Sequence, residues 1–221
     1  MADERVVLAI DTSTVVNVGL ARGGQVLATA TIEDRMAHVE QLTPLIRDCL
    51  AQAGLRLTEV DQIVVGLGPG PFTGLRVGIV TAQTLAAVGG QDLHGVCSLD
   101  VLAAQYADQA SAEFVVATDA RRREVYWAAY AADGRRHGEP QVGPPLAVPR
   151  RPTVGPGAAV YPGQLMVAPG PRVLDPRVLA TAGPGLADAG STPLYLRRPD
   201  ATEPTRRKSV LPLSARGVRR S

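Results

Sequence analysis

A strand–turn–strand pattern occurs twice in this chain, 108 residues apart, and it restricts the possible folds more than any other feature. In the first copy, an apolar strand over 5–11 ends on Asp11, and a short polar turn leads to a second strand over 15–21. In the second copy, 114–135 repeats the order of strand, carboxylate, turn, strand and glycine turn. Such a repeat indicates two related lobes, each built on its own antiparallel meander.

Between the two copies, the sequence predicts helices that alternate with strands. Apolar residues recur at steps of three and four over 38–53, and Gly54 follows as a residue that commonly ends helices. A buried strand is predicted over 61–68, with further helices over 73–88 and 99–107. This alternation is typical of an α/β protein.

The second half of the chain is shorter, rich in proline and glycine, and basic at its end. We predict one lobe over 1–110, a second, degraded lobe over 111–198 and a disordered tail over 199–221. From Arg197 onward eight basic residues stand against two acidic ones, so this segment carries +6 while the whole chain carries +2. The segment is either a solvated extension or a contact for RNA or another polyanion.

Several classes of protein are not expected. No apolar run approaches the roughly 18 residues that span a bilayer, so we predict no membrane helix and no membrane partner. The first residues lack the charged and apolar segments of a secretory signal. Cys49 and Cys97 make neither a disulfide framework nor a pair of metal ligands. We therefore expect a soluble, cytoplasmic protein.

The histidines and the glycine-rich loop do not form a known catalytic or nucleotide motif. His38, His94 and His137 are scattered, and none has a second histidine four residues away, so no metal site is predicted. The loop over 66–74 lacks the lysine of a Walker motif and the glycine spacing of a dinucleotide site. We expect no catalytic residues and no stoichiometrically bound cofactor.

The end of the first strand carries a candidate phosphate loop, made of Asp11, Thr12 and Ser13. A carboxylate followed by hydroxyls can hold a hydrated magnesium ion and phosphate oxygens. Alternatively, Asp11 accepts hydrogen bonds from the amides of its own turn, as aspartate often does. The residue types alone favour neither interpretation.

Small residues recur every four positions along the second helix and predict a close contact between backbones. Each glycine inside a helix lowers helix stability by roughly 1 kcal/mol, so the pattern needs a packing reason. We predict that this stripe faces a second subunit, with the first helix widening the patch; the alternative is close packing on the chain's own sheet. The predicted interface residues are Gly70, Gly74, Gly78, Ala82 and Ala86, with His38 and Leu42 on the first helix.

Five segments of the chain together resemble the TsaB (YeaZ) family. In order, they are LAIDTST, HVEQLTP, GLGPGPFTGLRVG, DARRREVYWAAY and PLYLRRP. They extend over about 5–198, and GPGPFTGLRVG is the most specific of them. The resemblance implies the actin-like ATPase fold, a duplicated ribonuclease H-like arrangement, which agrees with the repeat.

The resemblance also implies a function. Members of this family are non-catalytic subunits that bind and activate a homologous enzyme, TsaD, and the ATPase TsaE joins them. The complex uses ATP and transfers a threonylcarbamoyl group to the adenosine next to the anticodon of tRNA. For this chain it implies TsaD and TsaE as partners, a homodimer when the chain is alone, and an indirect relation to tRNA.

A second function from a different class remains open. The chain is alternatively an ATP-dependent phosphotransferase or ATPase of the actin-like superfamily that acts on its own. Asp11, Thr12 and Ser13 motivate this alternative, whereas the missing metal ligands and the small-residue helix favour the assembly subunit.

Overall fold

Two β-sheets form the framework of the chain, which a computed structural model describes over residues 4–32 and 38–197, with only the backbone described at 38–40. The strands of the first sheet are β1 Val6–Asp11, β2 Val16–Arg22, β3 Gln25–Ile32, β4 Gln62–Gly66 and β5 Asp92–Val96. Those of the second are β6 Phe114–Arg121, β7 Glu124–Tyr130, β8 Arg136–Gly143 and β9 Thr153–Val154. The predicted tail over 199–221 lies outside the described residues.

The two sheets share one topology. The first has the order β3-β2-β1-β4-β5, in which β1 is antiparallel to β2 and parallel to β4. The second has the order β8-β7-β6-β9, in which β6 is antiparallel to β7 and parallel to β9. In the second sheet, β9 is only two residues long, and a single parallel bridge from Thr153 to Val167 takes the place of β5. This is the duplicated, actin-like arrangement predicted from the sequence, with a reduced second copy.

The longer helices are α1 His38–Gln52, α2 Phe72–Gly89 and α3 Ser98–Ala107, and shorter ones are α4 Pro156–Val160 and α5 Pro176–Thr181. Helix α2 ends at Gly90, which adopts a left-handed φ of 77° and whose amide donates to the Ala86 carbonyl. Glycine adopts this conformation without steric cost, so the observed end of α2 follows from the sequence.

The alternation of side chains along β1 divides the core into two layers. Leu8 and Ile10 point to the face covered by α1 and α2, whereas Val7 and Ala9 point to the opposite face. On that opposite face, α3 and α5 lie between the first sheet and the second. Because β1 is buried on both faces, its sequence is a continuous apolar run without polar alternation.

The chain after position 110 contributes to the core of the first sheet. Helix α5 packs on β1, β2 and β3, and the backbone of Pro176 lies so close to Gly19 that a side chain there would overlap it. Leu179 belongs to the same buried cluster as Val64 of the first sheet and Val116 of the second. Because residues from both halves of the chain share this core, the predicted boundary between two lobes at 110 and 111 stays a prediction.

Within the described residues, α2 is long and apolar enough to cross a membrane by its length and composition alone. Leu75, Ile79 and Ala82 are buried on the first sheet, which is the environment of a core helix in a globular protein.

A buried polar contact joins α3 to the second sheet and gives a test of this packing. The Tyr130 hydroxyl donates to Asp100 Oδ1 at 2.8 Å, and the guanidinium of Arg136 lies 3.4 Å from the same oxygen. Burial raises the pKa of Asp100, and the Tyr130 hydrogen bond acts against that rise. The contact therefore partly compensates the burial of a carboxylate.

We predict that Tyr130→Phe lowers the free energy of unfolding by about 1–3 kcal/mol, because it removes a donor from a buried carboxylate. Urea denaturation measures this loss. Tyr161→Phe is the matched control, since the Tyr161 hydroxyl lies 3.4 Å from Asp119 in a more exposed place. An equal loss in both variants would contradict the assigned role of the Tyr130–Asp100 contact.

Candidate functional site

The turn after β1 is built around a completely buried carboxylate. Asp11 Oδ1 accepts hydrogen bonds from the amide and hydroxyl of Ser13 at 2.9 and 2.7 Å, and Oδ2 accepts one from the Ser98 hydroxyl at 2.5 Å. The Ser98 hydroxyl also accepts from the Gly68 amide at 3.1 Å. Asp11 thereby connects the end of β1, the start of α3 and the glycine-rich loop.

The carboxylate of Asp11 is closely surrounded by its neighbours. Burial raises the pKa of Asp11, and the hydrogen bonds from Ser98 and Ser13 oppose that rise only in part. A side chain at Gly66 would overlap Asp11 Oδ2, so only glycine fits beside it. These contacts support the alternative in which Asp11 holds its own turn together, whereas phosphate binding by Asp11, Thr12 and Ser13 stays a prediction.

The small-residue stripe of α2 packs against this same turn. The Thr12 hydroxyl donates to the Gly74 carbonyl at 2.7 Å, and a Cβ at Gly78 would overlap that hydroxyl. A Cβ at Gly70 would lie 2.6 Å from the Ser13 carbonyl oxygen. The glycines therefore allow α2 to approach the backbone of the chain's own turn.

The structure supports the alternative to a subunit interface for this stripe, which is close packing within the chain. Ala82 is 0% and Ala86 8% exposed, and Gly74 and Gly78 meet Thr12, so this side of α2 is not available to a partner. A stripe of small residues predicts close approach but does not identify the approaching backbone. Leu42 of α1 is 1% exposed and belongs to the core as well, whereas the side chain of His38 lies outside the described residues.

The opposite side of α2 carries apolar residues that face solvent. Val80 is 56% and Val88 82% exposed, and the partly exposed Val77 and exposed Thr84 lie on the same side of the helix. We call Val77, Val80, Thr84 and Val88 the outer face of α2. The signal for it was present in the sequence, because α2 is apolar on nearly all sides, which is more than one buried side requires.

The structure also contains a cleft between the two halves of the chain, which the sequence did not predict. It measures about 250 Å³, and its walls include Pro71 and Phe72 at the start of α2, Asp119 and Arg121 of β6, and Tyr195. We call it the interlobe cleft. Its residues are far apart in sequence and form no motif, so spacing alone gave no signal for it.

Aromatic stacking fastens the last described segment at this cleft. The rings of Phe72 and Tyr195 stack with their centroids 4.9 Å apart. The Arg76 guanidinium lies 4.0 Å from the centroid of Phe72 and donates from Nε to the Tyr195 hydroxyl oxygen at 3.1 Å. The described part of the segment PLYLRRP, residues 193–197, thus rests on the first turns of α2.

The described residues contain no group of three or more histidine, cysteine, aspartate or glutamate side chains that could hold a metal ion. Burial raises the pKa of the Cys49 thiol to about 11 and that of Cys97 to about 12. Neither thiol is a nucleophile at neutral pH, because the thiolate is the reactive form.

Comparison with known proteins agrees with the fold. A family model described as "TsaD: tRNA N6-adenosine threonylcarbamoyltransferase" matches residues 25–143. A solved structure of YeaZ from Pseudomonas aeruginosa is 31% identical, with a TM-score of 0.71 over 87% of this chain and 100% of that one. The chain belongs to the TsaB (YeaZ) family.

Three further relatives of this chain differ in how much of their length is matched. An uncharacterized protein of Mycobacterium tuberculosis is 42% identical over 204 residues, which are 88% of this chain and 93% of the relative. The tRNA threonylcarbamoyladenosine biosynthesis protein TsaB of Escherichia coli is 38% identical over 137 residues. That match covers 60% of this chain and 59% of the relative. The chain also spans 56% of the length of an uncharacterized protein of Mycobacterium leprae.

The packing of α2 on the Thr12 turn predicts the effect of a single methyl group. We expect Gly78→Ala to lower the free energy of unfolding by about 1–3 kcal/mol, since overpacking outweighs the roughly 1 kcal/mol gained in helix propensity. Chemical denaturation measures the loss. Adding Thr12→Ala to Gly78→Ala should recover part of it, because the overlapping hydroxyl is removed. Wild-type stability of Gly78→Ala would contradict the inward orientation of the stripe.

The burial of Asp11 predicts a pH dependence. Because its pKa is raised in the folded state, that state binds more protons than the unfolded one above the ordinary value of 3.8, and stability falls as pH rises towards the raised pKa. Asp11→Asn cannot ionise, so its melting temperature relative to wild type should increase between pH 4 and 7.

Ser98→Ala tests the titration of Asp11 in the opposite direction, by raising its pKa further. It removes a donor that lowers the pKa of Asp11, so the fall of stability should extend to higher pH than in wild type. Thermal melts at a series of pH values measure both variants. A pH-independent difference between Asp11→Asn and wild type would show that Asp11 does not titrate as assigned.

Proposed function

We propose that this chain is the non-catalytic subunit that binds and activates a homologous TsaD enzyme. The complex transfers a threonylcarbamoyl group to the adenosine next to the anticodon of tRNA. The observation that carries the proposal is the outer face of α2, an exposed apolar surface on a member of the TsaB family. Exposed valines on a helix that is firmly seated on its other side are suited to a helix from a second subunit.

The chemistry of the described residues supports a non-catalytic role. Asp11, the carboxylate that motivated independent ATP chemistry, is buried and has hydrogen-bond partners at both oxygens. These features disfavour the alternative of an ATPase or phosphotransferase that acts alone. ATP is then used by the complex, and this chain holds no cofactor stoichiometrically.

The same outer face suits a second copy of this chain, and one further partner is proposed. In the absence of TsaD, a second copy of the chain can occupy it about a two-fold axis, which gives a homodimer. The ATPase TsaE then joins the complex of this chain and TsaD. We place the protein in the cytoplasm, where tRNA is modified.

The test is Val80→Glu, which puts a charge at the centre of the outer face. Val80 is 56% exposed, so the change should leave the melting temperature within a few degrees of wild type. Burying an unpaired charge on complex formation should weaken TsaD binding at least tenfold. Calorimetric titration with purified TsaD measures the affinity, and tRNA modification by the reconstituted complex should fall in parallel.

Leu146→Glu is the matched control, because Leu146 is an exposed apolar residue, 77% exposed, on the second lobe. It should bind TsaD as wild type does. Unchanged TsaD affinity of Val80→Glu, or an equal loss in Leu146→Glu, would overturn the assignment of the outer face.

A further inference from the structure

The first sheet ends at β3, whose outer edge pairs with no other strand among the described residues. This strand has the sequence QVLATATI and contains neither a charged side chain nor a proline. Helices α1 and α5 pack on β3, but neither supplies a strand to its edge. Proteins usually protect such an edge with charges, proline or a covering segment, because its backbone groups can pair with another chain.

The other three sheet edges carry these protections. At β5, the amide of Ala189 donates to the Gly95 carbonyl at 2.8 Å, so a later segment of the chain covers that edge. Strand β8 contains Pro140 and charged residues. Beside β9, a parallel bridge to Val167 continues the sheet. Among the described residues, β3 is therefore the edge that lacks protection.

The hydrogen-bond alternation of the sheet shows which backbone groups of β3 point outward. The amide of Gly23 donates to the Arg5 carbonyl at 3.2 Å, so odd-numbered residues of β2 direct their backbone groups to β1. Even-numbered residues of β2 then bond to even-numbered residues of β3 over 28–32. The amides and carbonyls of Thr29 and Thr31 therefore point away from the sheet. We call 28–32 the β3 edge.

The spacing of these two threonines suits a second copy of the same strand. When two copies of β3 run antiparallel about a two-fold axis at Ala30, Thr29 of each copy lies opposite Thr31 of the other. Each of these pairs exchanges both of its backbone hydrogen bonds, because both residues point outward. Threonines opposite each other are favourable neighbours, and the uncharged strand brings no like charges together.

The same axis brings the helices above the strand into the contact. An axis perpendicular to the sheet keeps corresponding faces of the two copies on one side, so both copies of α1 lie on the same face of the extended sheet. Helix α1 packs on β2 and β3, next to the axis, whereas α2 packs on β1, β4 and β5. The contact therefore involves the β3 edge and the region of α1, and it does not require α2.

We propose that the β3 edge is a self-association surface, at which a second copy of this chain pairs antiparallel and continues the first sheet across both subunits. Backbone hydrogen bonds supply the affinity of such a contact, as in other cases of strand addition. It is separate from the outer face of α2. Two copies joined at the β3 edge each keep that outer face for TsaD.

The test uses Val80→Glu in the full-length chain, because this change removes the self-contact proposed for the outer face of α2. Sedimentation equilibrium should show that Val80→Glu is still a dimer at micromolar concentration. Adding Thr29→Pro should weaken this dimer about tenfold, since proline removes the outward amide at position 29. The circular dichroism spectrum should stay unchanged, because proline is tolerated on an edge strand where the amide faces outward.

Thr29→Val in the same background is the matched control. Valine keeps the amide and is also branched at Cβ, so the dimer should form as it does with threonine. Thr29→Lys is a second disruptive variant that leaves the backbone unrestricted. It should weaken the dimer as well, because the two introduced cations become diagonal neighbours across the strand pair.

The proposal is overturned if Val80→Glu is a monomer at high micromolar concentration, or if Thr29→Pro and Thr29→Val dimerise equally well. Loss of TsaD binding in Thr29→Pro alone would also overturn it, since a strand of TsaD would then occupy the edge. The proposed function fails independently. Thr29→Pro without Val80→Glu should bind TsaD as wild type does, and Val80→Glu should lose TsaD affinity whatever its oligomeric state.

Discussion

The position of α2 depends on the close contact between its glycines and the turn after β1. The Thr12 hydroxyl bonds to the Gly74 carbonyl, and Gly78 leaves the space that this hydroxyl occupies. The turn itself is fixed by Asp11, whose buried carboxylate collects the hydrogen bonds of Ser13 and Ser98. A catalytic carboxylate must be accessible to substrate, whereas a structural carboxylate is enclosed by its hydrogen-bond partners. The turn that Asp11 holds together supports α2.

Because of this contact, the two sides of α2 have different surroundings. The stripe that meets the Thr12 turn is limited to small residues by the nearness of a backbone, whereas Val80 and Val88 on the outer side are exposed to solvent. Rigid seating on one side reduces the entropy lost when the other side meets a partner. A helix of this kind is therefore a stable platform for association, and the exposed valines give it an apolar centre.

The fold could be predicted from the sequence more fully than the site. The repeated meander, the continuous apolar run of β1 and the glycine after α2 each follow from local rules, and all three agree with the structure. The orientation of the glycine stripe could not be predicted, because periodicity shows which residues share a side but not which neighbour covers it. The interlobe cleft unites Phe72, Arg121 and Tyr195, whose proximity arises only from the packing of the two sheets.

The central claim is that the outer side of α2, and not its glycine side, meets the partner subunit. A photoreactive amino acid at position 80, with position 146 as the comparison, tests it directly in a mixture with purified TsaD. Both positions carry exposed apolar side chains, so either can accept the probe without disturbing the core. We predict a crosslink to TsaD from position 80 and none from position 146. A crosslink from position 146 alone would contradict the account.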